Sequence, residues 1–149
     1  MSSLKATLQA NLTTAMKARD ELTAATLRMA LTAITNEEVS GKSARELSDE
    51  EVITVLGREA KKRREAAEAF DAAGHSDRAD RERAELGVLT VYLPQQMTEE
   101  EIQAIVDAAV AEVGVGAQNL GAVMKIVQPQ VKGKADGAQV AAIVRATLG

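Results

Sequence analysis

No cysteine and no tryptophan occur in the 149 residues. Without cysteine there is no disulfide, no thiolate nucleophile and no Cys-ligated zinc. A thiol-free chain fits a reducing compartment, and the expected location is the cytoplasm. Aromatic residues make up 1% of the chain, as Phe70 and Tyr92 alone. The core is therefore aliphatic, built from Leu, Val, Ile, Met and much Ala, the best helix former. Stacking of bases on aromatic platforms, the usual mode of single-strand binders, has almost nothing to work with. His75 is the sole histidine, so a metal site lacks a second imidazole. No apolar run has the length of a signal-peptide core or a bilayer span, so neither a leader nor a membrane partner is expected.

What remains is 46% hydrophobic and 27% charged, enough apolar material for a core. Its spacing is helical. Leu4, Leu8, Leu12 and Met16 recur every fourth residue in a first helix from about Ser3 to Arg19. Asp20 is a good N-cap for a second, which carries Leu22, Met29 and Ile34 and ends near Gly41. Ser48 with Glu51, and Thr98 with Glu101, have the spacing of capping boxes, in which each partner satisfies the other's backbone N–H. They open a third and a fifth helix. The fourth starts at Ser76 and is expected to end near Leu93, because the residue before Pro94 is pushed out of the α region. A sixth carries Leu120, Val123, Met124 and Val127, and Pro129 is expected to close it. A seventh starts at Asp136 and carries Val140, Ile143, Val144 and Leu148. No strand alternation competes. The expected fold is all-α, with an N-terminal domain of about four helices over residues 1–94. A small three-helix bundle follows over residues 95–149.

Candidate chemistry is sparse. The acidic clusters Asp49-Glu50-Glu51 and Glu99-Glu100-Glu101 lie in first helical turns, where the backbone dipole favours negative charge. His75 falls in a predicted loop. Gly41-Lys42-Ser43 lacks the upstream glycine of a phosphate-gripping loop. No catalytic residue, metal site or cofactor site is assigned. Two basic stretches stand out. Arg58, Lys61, Lys62 and Arg64 share a helix on which Glu59–Arg63, Lys61–Glu65 and Arg64–Glu68 are opposite-charge pairs at i, i+4 spacing, the pattern of a solvated helix face. Lys132 and Lys134 flank Gly133 just before a helix start, where N–H groups attract phosphate, although Asp136 is placed to take those groups as N-cap. From Lys125 onward, Lys125, Lys132, Lys134 and Arg145 face one acid, Asp136, on a chain of net charge −4. That local polarity has the sign an RNA contact needs, directed at phosphate and sugar on a folded shape.

The run Arg58-Glu59-Ala60-Lys61-Lys62-Arg63-Arg64-Glu65, then Phe70, then Tyr92-Leu93-Pro94-Gln95-Gln96-Met97-Thr98-Glu99-Glu100-Glu101-Ile102, resembles the GatB/YqeY family. So do Leu120-Gly121-Ala122-Val123-Met124-Lys125 and Val131-Lys132-Gly133-Lys134-Ala135-Asp136-Gly137 with Val140. The likeness covers essentially the whole chain. It implies a helical domain followed by a compact helical tail, as at the C-terminal end of the B subunit of the glutamine-dependent tRNA amidotransferase. In that enzyme the tail contacts the tRNA body, while a separate cradle region carries the chemistry. This chain looks like the helical and tail parts without the cradle. The resemblance thus implies a non-catalytic tRNA- or RNA-interacting module. Contacts would run through Lys125, Lys132, Lys134 and Arg145, with Gly121 and Gly133 admitting a close backbone and Arg58, Lys61, Lys62 and Arg64 as a secondary set. The alternatives are an accessory of amidotransfer, a carbon–nitrogen ligase with glutamine as amido donor as the family label implies, or a helical adaptor for a protein partner.

Overall fold

A computed structural model describes residues 2–149. Among these residues every regular element is helical: α1 (Ser3–Lys17), α2 (Glu21–Glu38), α3 (Asp49–Ala72), α4 (Ser76–Thr90), α5 (Glu99–Val113), α6 (Leu120–Val131) and α7 (Gly137–Leu148), with a short 3-10 turn at Ala117–Asn119. The chain divides into two compact units, one ending at Leu93 and the other spanning Pro94–Gly149. None of the helices is long and apolar enough to cross a membrane.

Local capping sets most helix starts. The Ser48 hydroxyl accepts from the Glu51 N–H and the Glu51 carboxylate accepts from the Ser48 N–H, both at 3.2 Å. Thr98 and Glu101 make the same reciprocal pair at 3.1 Å. Asp20 accepts from the Thr23 N–H at 3.2 Å and from its hydroxyl at 2.7 Å, which lowers the Asp20 pKa. The turn before Asp20 is unusual in composition. The Asp20 N–H reaches the Ala15 carbonyl at 2.9 Å, and the Arg19 N–H reaches Met16 at 3.1 Å. This is a Schellman closure, whose left-handed position glycine usually occupies. Here Arg19 holds it, at φ 58°.

In the first unit, α1 pairs with α2 and α3 with α4, and α2 packs on both members of the second pair. Leu8, Leu27, Ile34, Val52, Leu56 and Leu89 are buried together between them. The Asn11 amide donates to the Tyr92 hydroxyl at 2.7 Å, so the tyrosine closes this core rather than offering a free ring. Asp49 ties α1 to α3 by accepting from the Ser2 and Ser3 hydroxyls and the Leu4 N–H. Glu38 joins Lys5 at 2.7 Å and also accepts from the Leu47 N–H.

In the second unit, Ile102, Val106, Val123, Val127, Val140 and Val144 form the buried seam of α5, α6 and α7. Gly114 and Gly116 sit at φ 106° and 119°, backbone that a side chain rarely tolerates, and they turn the chain out of α5. The Asn119 amide holds that turn by donating to the Gly114 and Val115 carbonyls at 2.9 and 3.2 Å.

Several helix ends differ from the sequence reading. Pro129 does not close α6, which continues to Val131. A proline this near the end forfeits one backbone bond. Val127 and Val131 are buried on either side of it, and Lys132 still donates to Gln128 at 3.0 Å, so the turn survives the loss. At α4 the regular helix stops at Thr90, and the tighter bonds Tyr92 to Leu89 and Leu93 to Thr90, both 3.1 Å, carry the chain to Pro94. The end of α2 agrees with that reading: the helix stops at Glu38, and Gly41 lies just past it.

Candidate functional site

The basic residues fall into two groups by their partners. On α3, Arg58 pairs with Glu37 at 3.4 Å, Lys62 with Glu59 at 3.0 Å and Lys61 with Glu65 at 4.0 Å. Only Arg64 of that set has no ion pair among the described residues. The α3 stretch is therefore largely neutralised within its own unit.

Lys125, Lys132, Lys134 and Arg145 are all exposed, and none of them makes an ion pair among the described residues. Lys125 and Lys132 line one groove of about 620 Å³, with Gly137 at the start of α7 on its edge. Met124, Pro129, Val131 and Val140 form its apolar floor. Lys134 belongs to the same turn but not to the lining, and Arg145 lies in the last turn of α7.

The turn carrying the lysines is fixed by the segment ahead of α5. The Met97 N–H donates to the Lys134 carbonyl at 2.8 Å, and the Gln96 amide to the Gly133 carbonyl at 3.4 Å. Gly133 takes φ 76°, so it makes the turn. Gly121 lies exposed in the first turn of α6 with no neighbour close to where a Cβ would stand. The Asp136 carboxylate accepts from the Ala138 N–H at 3.4 Å as the N-cap of α7. An anion at this end therefore meets lysine side chains, while Asp136 shares the helix terminus.

His75 is the exposed residue preceding α4 and makes no side-chain cap. Its ring meets Phe70 edge-on at 6.4 Å, and the Arg78 guanidinium lies over the same phenyl ring at 5.8 Å. Both contacts shape the corner between α3 and α4.

Sequence reasoning missed a buried ionic cluster. Arg63, on the helix read as a solvated face, lies 3.7 Å from Glu59, 3.8 Å from Glu82 and 3.4 Å from Glu85. Burial, then the neighbouring Glu85 charge, raises the Glu82 pKa above the usual carboxylate value. Nothing in the local pattern distinguishes this face from a wet one, because Glu82 and Glu85 arrive from α4.

The Yqey-like protein family model matches residues 5–148. An uncharacterized protein of Schizosaccharomyces pombe is 33% identical over 93 residues, covering 62% of this chain and 73% of that protein. The matched span takes in nearly all of both helical units, and the chain belongs to the YqeY-like family, which is related to the C-terminal tail of GatB.

Proposed function

We propose that this protein is a non-catalytic helical module that contacts the sugar-phosphate backbone of folded RNA, tRNA in the first instance, through its C-terminal unit. The observation that carries this reading is the set of cations at one end of the bundle that make no ion pair among the described residues. Lys125 and Lys132 share a groove, and Lys134 follows on the same pinned turn. The kinship with the GatB tail supports it. Phosphate neutralisation releases counterions, so affinity falls with salt by a logarithmic slope of roughly 0.7–0.9 per phosphate contacted. Few contacts on an acidic protein imply weak binding, about 10⁻⁴ to 10⁻⁶ M, the non-specific range.

The test is a titration of bulk tRNA at two salt concentrations, with wild type and with Lys132→Glu/Lys134→Glu. Both side chains are exposed, so helicity is unchanged. Binding to all tRNAs weakens alike in the variant, because backbone contacts carry no sequence information. Equal binding by both proteins at low salt removes the C-terminal unit as the RNA site. A second reading, a helical adaptor for a protein partner, is favoured by the apolar floor of the same groove. It becomes the better one if neither protein binds tRNA.

A further inference from the structure

The turn between α1 and α2 faces the early part of α4 across a second groove, in the N-terminal unit, of about 530 Å³. Its volume lies in the range of about 300–1,000 Å³ typical of ligand pockets. Ala15, Met16, Ala24 and Ala25 supply apolar lining, with Met16 half exposed. Three guanidiniums line the same groove, Arg19 from the turn, Arg28 from α2 and Arg81 from α4. Arg19 and Arg28 make no ion pair among the described residues, and Arg81 has only a 3.7 Å approach to Glu85. Two carboxylates also line it, Asp20 and Glu21. Asp20 is occupied as the cap of α2, bonded to Thr23, which leaves Glu21 against the arginines. Arg19 holds its place despite a left-handed backbone that glycine would adopt without strain.

We propose that this groove binds an acidic segment of a partner protein, with an aliphatic side chain seated over the alanines and carboxylates forked by Arg19, Arg28 and Arg81. Guanidinium geometry matches a carboxylate bidentately. Arginine and methionine are both enriched at protein–protein interfaces. RNA at this groove is the outcome that the test below separates from peptide binding. This site is separate from the Lys125 and Lys132 groove and does not depend on the RNA reading.

The test is a peptide-display selection on the full-length chain, followed by affinity measurements of the recovered peptides, synthesised and fluorescein-labelled. The expected sequences combine Asp or Glu with Leu, Ile or Met. Their affinity falls at least about tenfold, roughly 1.4 kcal/mol, in Arg28→Glu. It falls also in Ala25→Glu, which places a carboxylate in the floor, and stays unchanged in Lys132→Glu/Lys134→Glu. Circular dichroism of Arg28→Glu, an exposed position, matches wild type and shows that the loss is not unfolding. Amide resonances of Ala24, Ala25 and Arg28 shift on titration. The proposal is overturned if the selection yields no binder, if the peptides carry no acidic bias, or if they bind Arg28→Glu as well as wild type. It is equally overturned if tRNA, rather than peptide, is what Arg28→Glu ceases to bind.

Discussion

Replacing Arg63 by methionine tests how the N-terminal unit is held together. The Arg63 side chain is 13% exposed, and the carboxylates of Glu59 and Glu85 beside it are 11% and 10% exposed. Methionine keeps much of the volume and removes the charge, leaving Glu59, Glu82 and Glu85 in a desolvated cleft without their shared partner. Removing one member of a buried ion pair costs about 3–5 kcal/mol. Lys62 still reaches Glu59 at 3.0 Å and Arg81 still reaches Glu85 at 3.7 Å, both from exposed positions. That residual compensation puts the cost at the lower end, about 3 kcal/mol, a fall in Tm of roughly 12–24 °C for a domain of this size. The loss also depends on pH. Glu82 already has a raised pKa, chiefly through burial. A carboxyl with a raised folded pKa stabilises below its unfolded value, and that contribution disappears as pH rises through the folded one. Without Arg63 the Glu82 carboxyl loses a neighbouring positive charge and moves further up, so the deficit is full at neutral pH and shrinks as pH falls toward the ordinary carboxyl range, about pH 4.5. Urea and thermal unfolding of both proteins, followed by circular dichroism near neutral pH and at about pH 5, measure it. A neutral-pH deficit below about 1 kcal/mol, the worth of a surface pair, refutes the reasoning. So does a deficit that grows on acidification.

Arg19→Gly relieves the left-handed position that closes α1 and is expected to stabilise the chain by about 1 kcal/mol in urea unfolding; a loss of stability would mean the arginine side chain matters more to the fold than its backbone strain. Asp49→Asn lowers Tm at neutral pH, since the Ser2 and Ser3 hydroxyls, then the Leu4 N–H, hold the Asp49 carboxyl down to about 2. A depressed folded pKa contributes stability above the unfolded value and loses it as pH falls through the folded one, so the two melting curves converge toward pH 2; a gap independent of pH contradicts this. Thr98→Ala removes half of the second capping box and costs about 1 kcal/mol, read as faster amide exchange in α5. The fragment of residues 95–149 gives a helical circular dichroism spectrum on its own, and a random-coil spectrum shows that it does not fold alone.

The features legible in the sequence are those whose physics closes within a few residues. Asp20, Ser48 and Thr98 cap helices at partners three positions away, so residue type and spacing suffice. The aliphatic stripes of α5, α6 and α7 are likewise legible, because a helix must turn such a stripe inward. Pro129 was misleading for a local reason as well: its ring forbids one backbone bond, but whether the helix stops depends on the burial of Val127 and Val131. The Arg63 cluster lay beyond reach. Opposite charges four apart look the same on a wet face and a buried one, and only the packing of α4 against α3 decides between them.

The same distinction governs which cations are free to act. By sequence, the densest basic run is on α3, and it is the obvious surface for a polyanion. The fold engages most of it, giving Arg58 to Glu37, Lys62 to Glu59 and Arg63 to three carboxylates. A cation already neutralised has little counterion left to release, so it adds little to phosphate binding. The sparser positions keep their charge available: Lys125, Lys132 and Lys134 in one unit, Arg19 and Arg28 in the other. Arg19 makes the point most sharply. A glycine there would close α1 with less strain, and the peptide groove proposed above is where the Arg19 guanidinium would act. Arg19→Gly should therefore move stability and peptide affinity in opposite directions, and a variant that gains both would show that this arginine has no part in binding.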